Sequence, residues 1–277
     1  METPIIRSVD HIMVRVKTAE PLFELFSRTL ALPVSWPLQI SDFATFGWVT
    51  VGNANLEFWA AADNSDLPGD SKLPGFHGFA LEPSNLAASL SRLAERGIAC
   101  KAPRPFITKK TNGEEALNFT NAVIRDVSTD GCCIFFCEWC PNGSIFPWTD
   151  RLSTPQRRER EKAQLLALGG GPLGITGLLE IQIEAPPQGK FVQAWQTLTE
   201  QGNQVVYLAD GVQLRFLPSS NYRISALVLG VQSVRNARDF LIERRLLESE
   251  DQGELILSRK ATDGLTFILR ERRPADN

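Results

Sequence analysis

The 277-residue chain contains two histidines, His11 and His77. Each lies inside an alternating or apolar run, SVDHIMVRV and GFHGFALEP. Imidazole is the side chain that changes charge near neutrality and the commonest ligand of transition metals, so these two positions are informative. Two carboxylates also sit in apolar surroundings, Glu57 in NLEFWAA and Glu138 in CIFFCEW. A buried carboxylate needs a partner. Cys137 and Cys140 form a single C-x-x-C at the end of an apolar run. With no second pair and no helix start to stabilise a thiolate, that spacing predicts buried, inert thiols.

The elements that must position these residues repeat four times. SVDHIMVRV alternates as a strand does. The segment AEPLFELFSRTLAL then places Phe23, Phe26 and Leu30 on one helical face. FATFGWVTVG and NLEFWAA follow as strands. The second unit runs GFHGFALEP, helix SNLAASLSRLAERG, then strands ALNFTNAVIRDVS and CCIFFCEW. The third opens at GLLEIQIEA and the fourth at YRISALVLGV. The closing hairpins of units two and four share the turns S-T-D-G and A-T-D-G, each with a Glu eight residues after the Asp, Glu138 and Glu271. That echo points to duplication.

The 29 basic and 32 acidic residues argue against a nucleic-acid binder. No apolar run reaches the ~20 residues needed to cross a bilayer, which argues against a membrane protein. Five cysteines, four of them within residues 132–140, do not form a secreted disulfide framework, so a cytoplasmic setting is expected. Seventeen of the 22 Phe and Trp residues precede residue 151. RLSTPQRREREKAQLLALGGGP reads as a solvated linker helix ending in a glycine hinge. The boundaries expected are a first domain at 1–150, a linker at 151–171 and a second domain at 172–277.

Strand, helix and three strands, four times over, resembles the vicinal oxygen chelate superfamily of glyoxalase I, bleomycin-resistance proteins and extradiol dioxygenases. VDHIMVRV looks like its first module and HGFALEPSNLAASLSRLAERGI like its second. The resemblance implies an α+β fold of tandem βαβββ modules, two per domain, each domain a curled mixed sheet around a pocket. It implies a divalent metal (Fe, Ni, Mn or Zn) on His11, His77, Glu138 and Glu57, with Glu57 as fourth ligand or base and Glu138 also catalytic. Two imidazoles and one or two carboxylates leave coordination positions open for a Lewis-acid centre. Counted from the Asp130-Gly131 turn, the superfamily's last carboxylate position falls on Phe135, and a bulge, or a hairpin whose turn lies elsewhere, would bring Glu138 there.

Trp48, Phe58, Trp59, Phe135, Trp139, Phe146 and Trp148 are expected to wall the pocket. The second domain has no histidine and Arg215 at the place of Glu57, so it reads as a degenerate copy. The function implied is a glyoxalase-like lyase or isomerase acting on a small oxygen-chelating molecule. The rival readings are an Fe(II) extradiol-type dioxygenase and a metal-free drug- or metabolite-binding protein. The superfamily also builds sites across subunits, so a homodimer is compatible.

Overall fold

The computed structural model describes residues 4–62, 73–110, 112–147, 150–187, 189–201 and 205–272. The first unit is β1 (Ile6–Arg15), α1 (Glu20–Glu24) running into a π-helical turn (Leu25–Thr29), β2 (Val34–Ile40), β3 (Ala44–Thr50) and β4 (Asn55–Ala61). The second is β5 (Gly75–Pro83), α2 (Leu86–Glu95), β6 (Arg104–Lys109), β7 (Glu115–Val123) and β8 (Cys133–Trp139). After α3 (Thr154–Ala167), the third has β9 (Ile175–Ala185), α4 (Lys190–Thr199), β10 (Val205–Tyr207) and β11 (Gln213–Pro218). The fourth has β12 (Arg223–Val231), α5 (Val234–Glu243), β13 (Leu247–Asp251), β14 (Glu254–Leu257) and β15 (Phe267–Glu271). The strand β2 escapes the alternation argument because its VSWPLQI carries a proline, which demotes a run to an edge strand; β2 is the edge of its sheet.

Two mixed sheets result, ordered β2-β3-β4-β1-β5-β8-β7-β6 and β10-β11-β9-β12-β15-β14-β13. In each, two units meet through antiparallel first strands, β1 with β5 and β9 with β12. The first strand of a unit also pairs in parallel with its last, as β1 does with β4 and β5 with β8. The registers superimpose the two sheets residue by residue. His11 faces Ala80 and Asn55; Glu180 faces Val228 and Gln213. Both first strands skip one residue just before these positions, at Asp10 and at Leu179. Both partner strands skip one near their start, at His77 and at Ser225.

The duplicated Glu has a structural explanation. Glu138 accepts from the Leu86 N–H at the start of α2, and Glu271 from the Val234 N–H at the start of α5. A carboxylate is favoured there because the first helical N–H groups lack internal partners.

One apolar core joins the halves. Phe26 and Phe76 of the first half lie 4.9 and 5.4 Å, centroid to centroid, from Phe267 of the second. Phe79 stacks on Trp195 at 6.0 Å. The opposite face of each sheet carries the smaller clusters, Met13, Ala80, Phe135 and Cys137 in one and Ala226, Val228 and Ile268 in the other.

The segment between the sheets is not a solvated linker. Arg157, Glu161 and Leu165 of α3 are buried. Thr154, Arg157, Arg158, Glu161 and Leu165 recur at three- and four-residue spacing, so they form one stripe, and α3 lays its polar upper part over the first sheet.

Candidate functional site

The site centres on the bulge in β1. An extra residue in a strand re-aims its neighbours, and here Asp10 and His11 turn toward each other. His11 Nδ1 lies 2.7 Å from Asp10 Oδ2, and both side chains are almost fully buried. The same Asp10 oxygen accepts from Trp139 Nε1 at 2.9 Å. Arg158 of α3 donates to the Asp10 carbonyl oxygen at 3.0 Å and pairs with its carboxylate at 3.4 Å. Arg158 also binds Glu161 at 2.8 Å. Aromatic rings enclose the imidazole: Trp48 at 4.6 Å and Phe135 at 5.9 Å.

Electrostatics bind this group together. Burial alone would lower the His11 pKa, but the hydrogen bond and charge of Asp10, reinforced by Glu57, raise it above the ordinary 6.5. Burial would raise the Asp10 carboxyl, yet His11, Arg158 and Trp139 hold it below 3.8. Burial lifts Glu161 above its ordinary range despite Arg158. Burial also pushes the Cys137 thiol well up, with Asp10 and Glu57 adding repulsion, so it is no thiolate nucleophile.

Beside Asp10, under the first turn of α3, lies a chamber of about 10 Å³ lined by Ser35, Trp36, Trp48, Asn55, Trp139, Arg157, Arg158 and Glu161 among others. That is about the space one water occupies. Ser35 Oγ, Trp48 Nε1, Asn55 Oδ1 and Arg158 Nε are buried there without a hydrogen-bond partner among the described residues. Buried polar atoms usually find a partner, so these four are available to hydrogen-bond what enters the chamber.

The expected residues divide as follows. His11 and Glu57 share the face, Glu57 standing two residues along the parallel strand from Asn55, the partner of His11, and opposite Met13 and Trp48. Trp48 and Phe135 pack on His11, Trp139 packs on Trp48, and Phe146 on Trp139. Trp59 lies further out on that side, stacked on Phe46 at 5.3 Å. Phe58 points the other way, into the shared core against Phe26, as strand alternation next to Glu57 requires. Trp148 lies outside the described residues.

Two of the expected metal ligands are not brought to His11. Glu138 is exposed and serves the α2 N-terminus; no bulge re-aims it. His77 sits in the β5 bulge, three residues from the Ala80 that faces His11. Its neighbour Gly78, at φ +147°, leaves no room for a Cβ against the Cys133 carbonyl, so the strand is pinned there. The positions opposite His11 are Ala80 and, paired with it, Phe135. Neither can donate to a metal. Among the described residues no group of three or more His, Cys, Asp or Glu is placed to hold an ion. With the Asp10 carboxylate engaged by His11, Trp139 and Arg158, the donors left are one imidazole and one carboxylate, which does not fit a chelating centre of three protein ligands.

Sequence reasoning passed over Asp10, Arg158 and Glu161. Asp10 directly precedes His11, but only the bulge puts both on one face. The α3 stripe is present in the three- and four-residue spacing of 154, 157, 158, 161 and 165, but charged residues at that spacing read as a solvated face.

A family profile described as a glyoxalase-like domain matches residues 9–199, more than two-thirds of the chain. The chain belongs to the glyoxalase-like family. Solved structures of the same fold span nearly the whole chain. A hypothetical protein from Staphylococcus aureus is 9% identical, covers 96% of this chain and 99% of its own, and has a TM-score of 0.59. The 2,3-dioxygenase LapB from Pseudomonas sp. KL28 is 11% identical over 99% and 96%, TM-score 0.56. Homoprotocatechuate 2,3-dioxygenase from Arthrobacter globiformis is 11% identical over 100% and 84%, TM-score 0.54. No curated protein sequence matches. This glyoxalase-like chain thus has the vicinal oxygen chelate fold, with two curled mixed sheets.

Proposed function

We propose that the protein is a proton-transfer enzyme of the isomerase or lyase type. Its substrate is a small carbonyl compound, one oxygen of which takes the one-water chamber beside Asp10 while the aromatic rings of the first sheet part around the rest. The observation that supports this is the buried Asp10–His11 pair with Glu57 beside it. The hydrogen bond and charge of Asp10 favour the protonated form of the imidazole, and an imidazolium polarises a carbonyl oxygen. In this role His11 does what a Lewis-acid metal does in the expected centre. Glu57 then takes the proton from the adjacent carbon and returns it to the same or the neighbouring carbon, so the reaction needs no oxidant. Asp10 orients His11 and balances its charge. Trp48 Nε1 and Arg158 Nε, both unpartnered, offer donors to a second substrate oxygen.

The test is deuterium exchange in D2O. A panel of 2-oxo and 2-hydroxy carbonyl compounds is followed by NMR at the carbon next to the carbonyl. Exchange should occur with protein purified without an affinity tag and soaked in chelator. H11Q and E57Q should each slow it by about 100-fold or more. Exchange that appears only after Fe, Ni, Mn or Zn is returned would instead support the metal-dependent lyase. Tight binding without exchange would support a sequestering protein.

A further inference from the structure

The histidine that the first site does not use lies in a second place that merits a function. A groove of about 580 Å³ opens where the two sheets meet. His77, Arg15, Arg223 and Arg259 line it, with Ser225 and Thr266. Among the described residues that line it, none is acidic. This stands out in a chain whose formal net charge is -3. The volume lies in the range of small-molecule sites.

The groove is built rather than incidental. The two strand bulges converge on it, since His77 and Ser225 are the matching skipped residues of β5 and β12. Both repeated turns border it through Gly131 and Gly264. The guanidiniums are fixed in place. Arg15 lies 4.7 Å above the Trp59 ring. Arg223 is held through Nε and Nη2 by Glu184, and Arg259 through the same two nitrogens by Glu248. A planar guanidinium held along one edge still presents its other edge to a ligand. Guanidiniums with one edge held from behind by Glu184 and Glu248, and no carboxylate among the described lining residues, suit a compact polyanion that binds the other edges.

We propose that this groove is a second ligand site, which binds a small molecule bearing phosphate or several carboxylates through His77, Arg15, Arg223 and Arg259.

The test uses the fact that the protein has two histidines. Their imidazole Cε1–H signals are followed by NMR at pH 7.5, with an H77Q variant to assign them. Wild-type protein is titrated with inorganic phosphate, and separately with citrate, at ionic strength held constant with sodium chloride. The His77 signal should move saturably with at least one anion, while His11, buried in the other site, stays still. Burial and the Arg15 charge hold the His77 pKa below its ordinary value, so a bound anion should also raise it. R223Q/R259Q should weaken binding at least tenfold. Both substituted residues are exposed, and circular dichroism checks that the variant is folded. Phosphate alone would indicate a phosphorylated ligand, and citrate alone a polycarboxylate. No movement beyond the chloride control with either anion would overturn the proposal. So would equal saturation in the double variant.

Discussion

At matching points of the two sheets stand His11 and Glu180, and the groups around them differ in one telling respect. Glu180 is fully buried, yet Arg215 holds both its oxygens at 2.9 Å, Arg270 adds a contact at 3.2 Å and Gln182 another at 2.9 Å. Arg270 in turn binds Glu254. Nothing in that set lacks a partner. Beside the Asp10–His11 pair four buried polar atoms have no partner among the described residues, and their residues line a chamber of about 10 Å³. Arg215 and Glu57 occupy equivalent strand positions, opposite Gln182 and Met13. A salt-bridged second face therefore replaces a titratable first one. A saturated cluster reads as structure, while leftover polar capacity next to perturbed pKa values reads as a site.

The largest effect should come from breaking the saturated side. R215M/R270M leaves the buried Glu180 charge with no cation and only the Gln182 hydrogen bond, and should cost about 3–5 kcal/mol in urea unfolding. E180M removes the buried charge instead, and the freed arginines can turn to water. Its cost should stay within about 1 kcal/mol. If both variants cost the same, the network is not what distinguishes the second face.

On the first face, D10N weakens a charge-assisted bond to His11 and the contact to Arg158. A loss of about 1.5–3 kcal/mol is expected, together with loss of proton exchange. The pH dependence should separate the faces further. A raised His11 pKa means its stabilisation is complete below 6.5 and is lost as pH rises through the folded value. Lowered Asp10 and Glu180 pKa values mean their contributions hold above 3.8 and 4.5 and fade as pH falls through the folded values. H11Q should therefore remove the decline toward alkaline pH and leave the acid limb to the carboxylates. A decline that persists in H11Q would assign it elsewhere.

The smallest effect tests where the faces agree. E138Q and E271Q should each cost about 0.3–1 kcal/mol, and nearly the same amount, because both carboxylates serve a helix start. A much larger loss in E138Q, with loss of exchange, would return Glu138 to the active site.

Much of this was legible in the residues. Alternation and helix spacing reveal the units, and the paired T-D-G turns with their trailing Glu reveal the duplication. What stayed hidden depends on single-residue slips. A bulge at Asp10 makes a pair out of two residues that alternation would split between faces. A bulge at His77 carries that imidazole away from His11, whereas the expected bulge before Glu138 is absent. Charged residues on α3 resemble solvated ones because burial depends on Asp10 and Asn55, far away in sequence.

The core shared by Phe26, Phe76, Phe79, Phe267 and Trp195 has a thermodynamic consequence. Neither half can melt without uncovering the apolar face of the other, so heating should give one cooperative transition. Calorimetric and van't Hoff enthalpies should agree. The half whose matching face is saturated earns its retention as a scaffold: removing it would strand the first sheet's rings in water and invite aggregation.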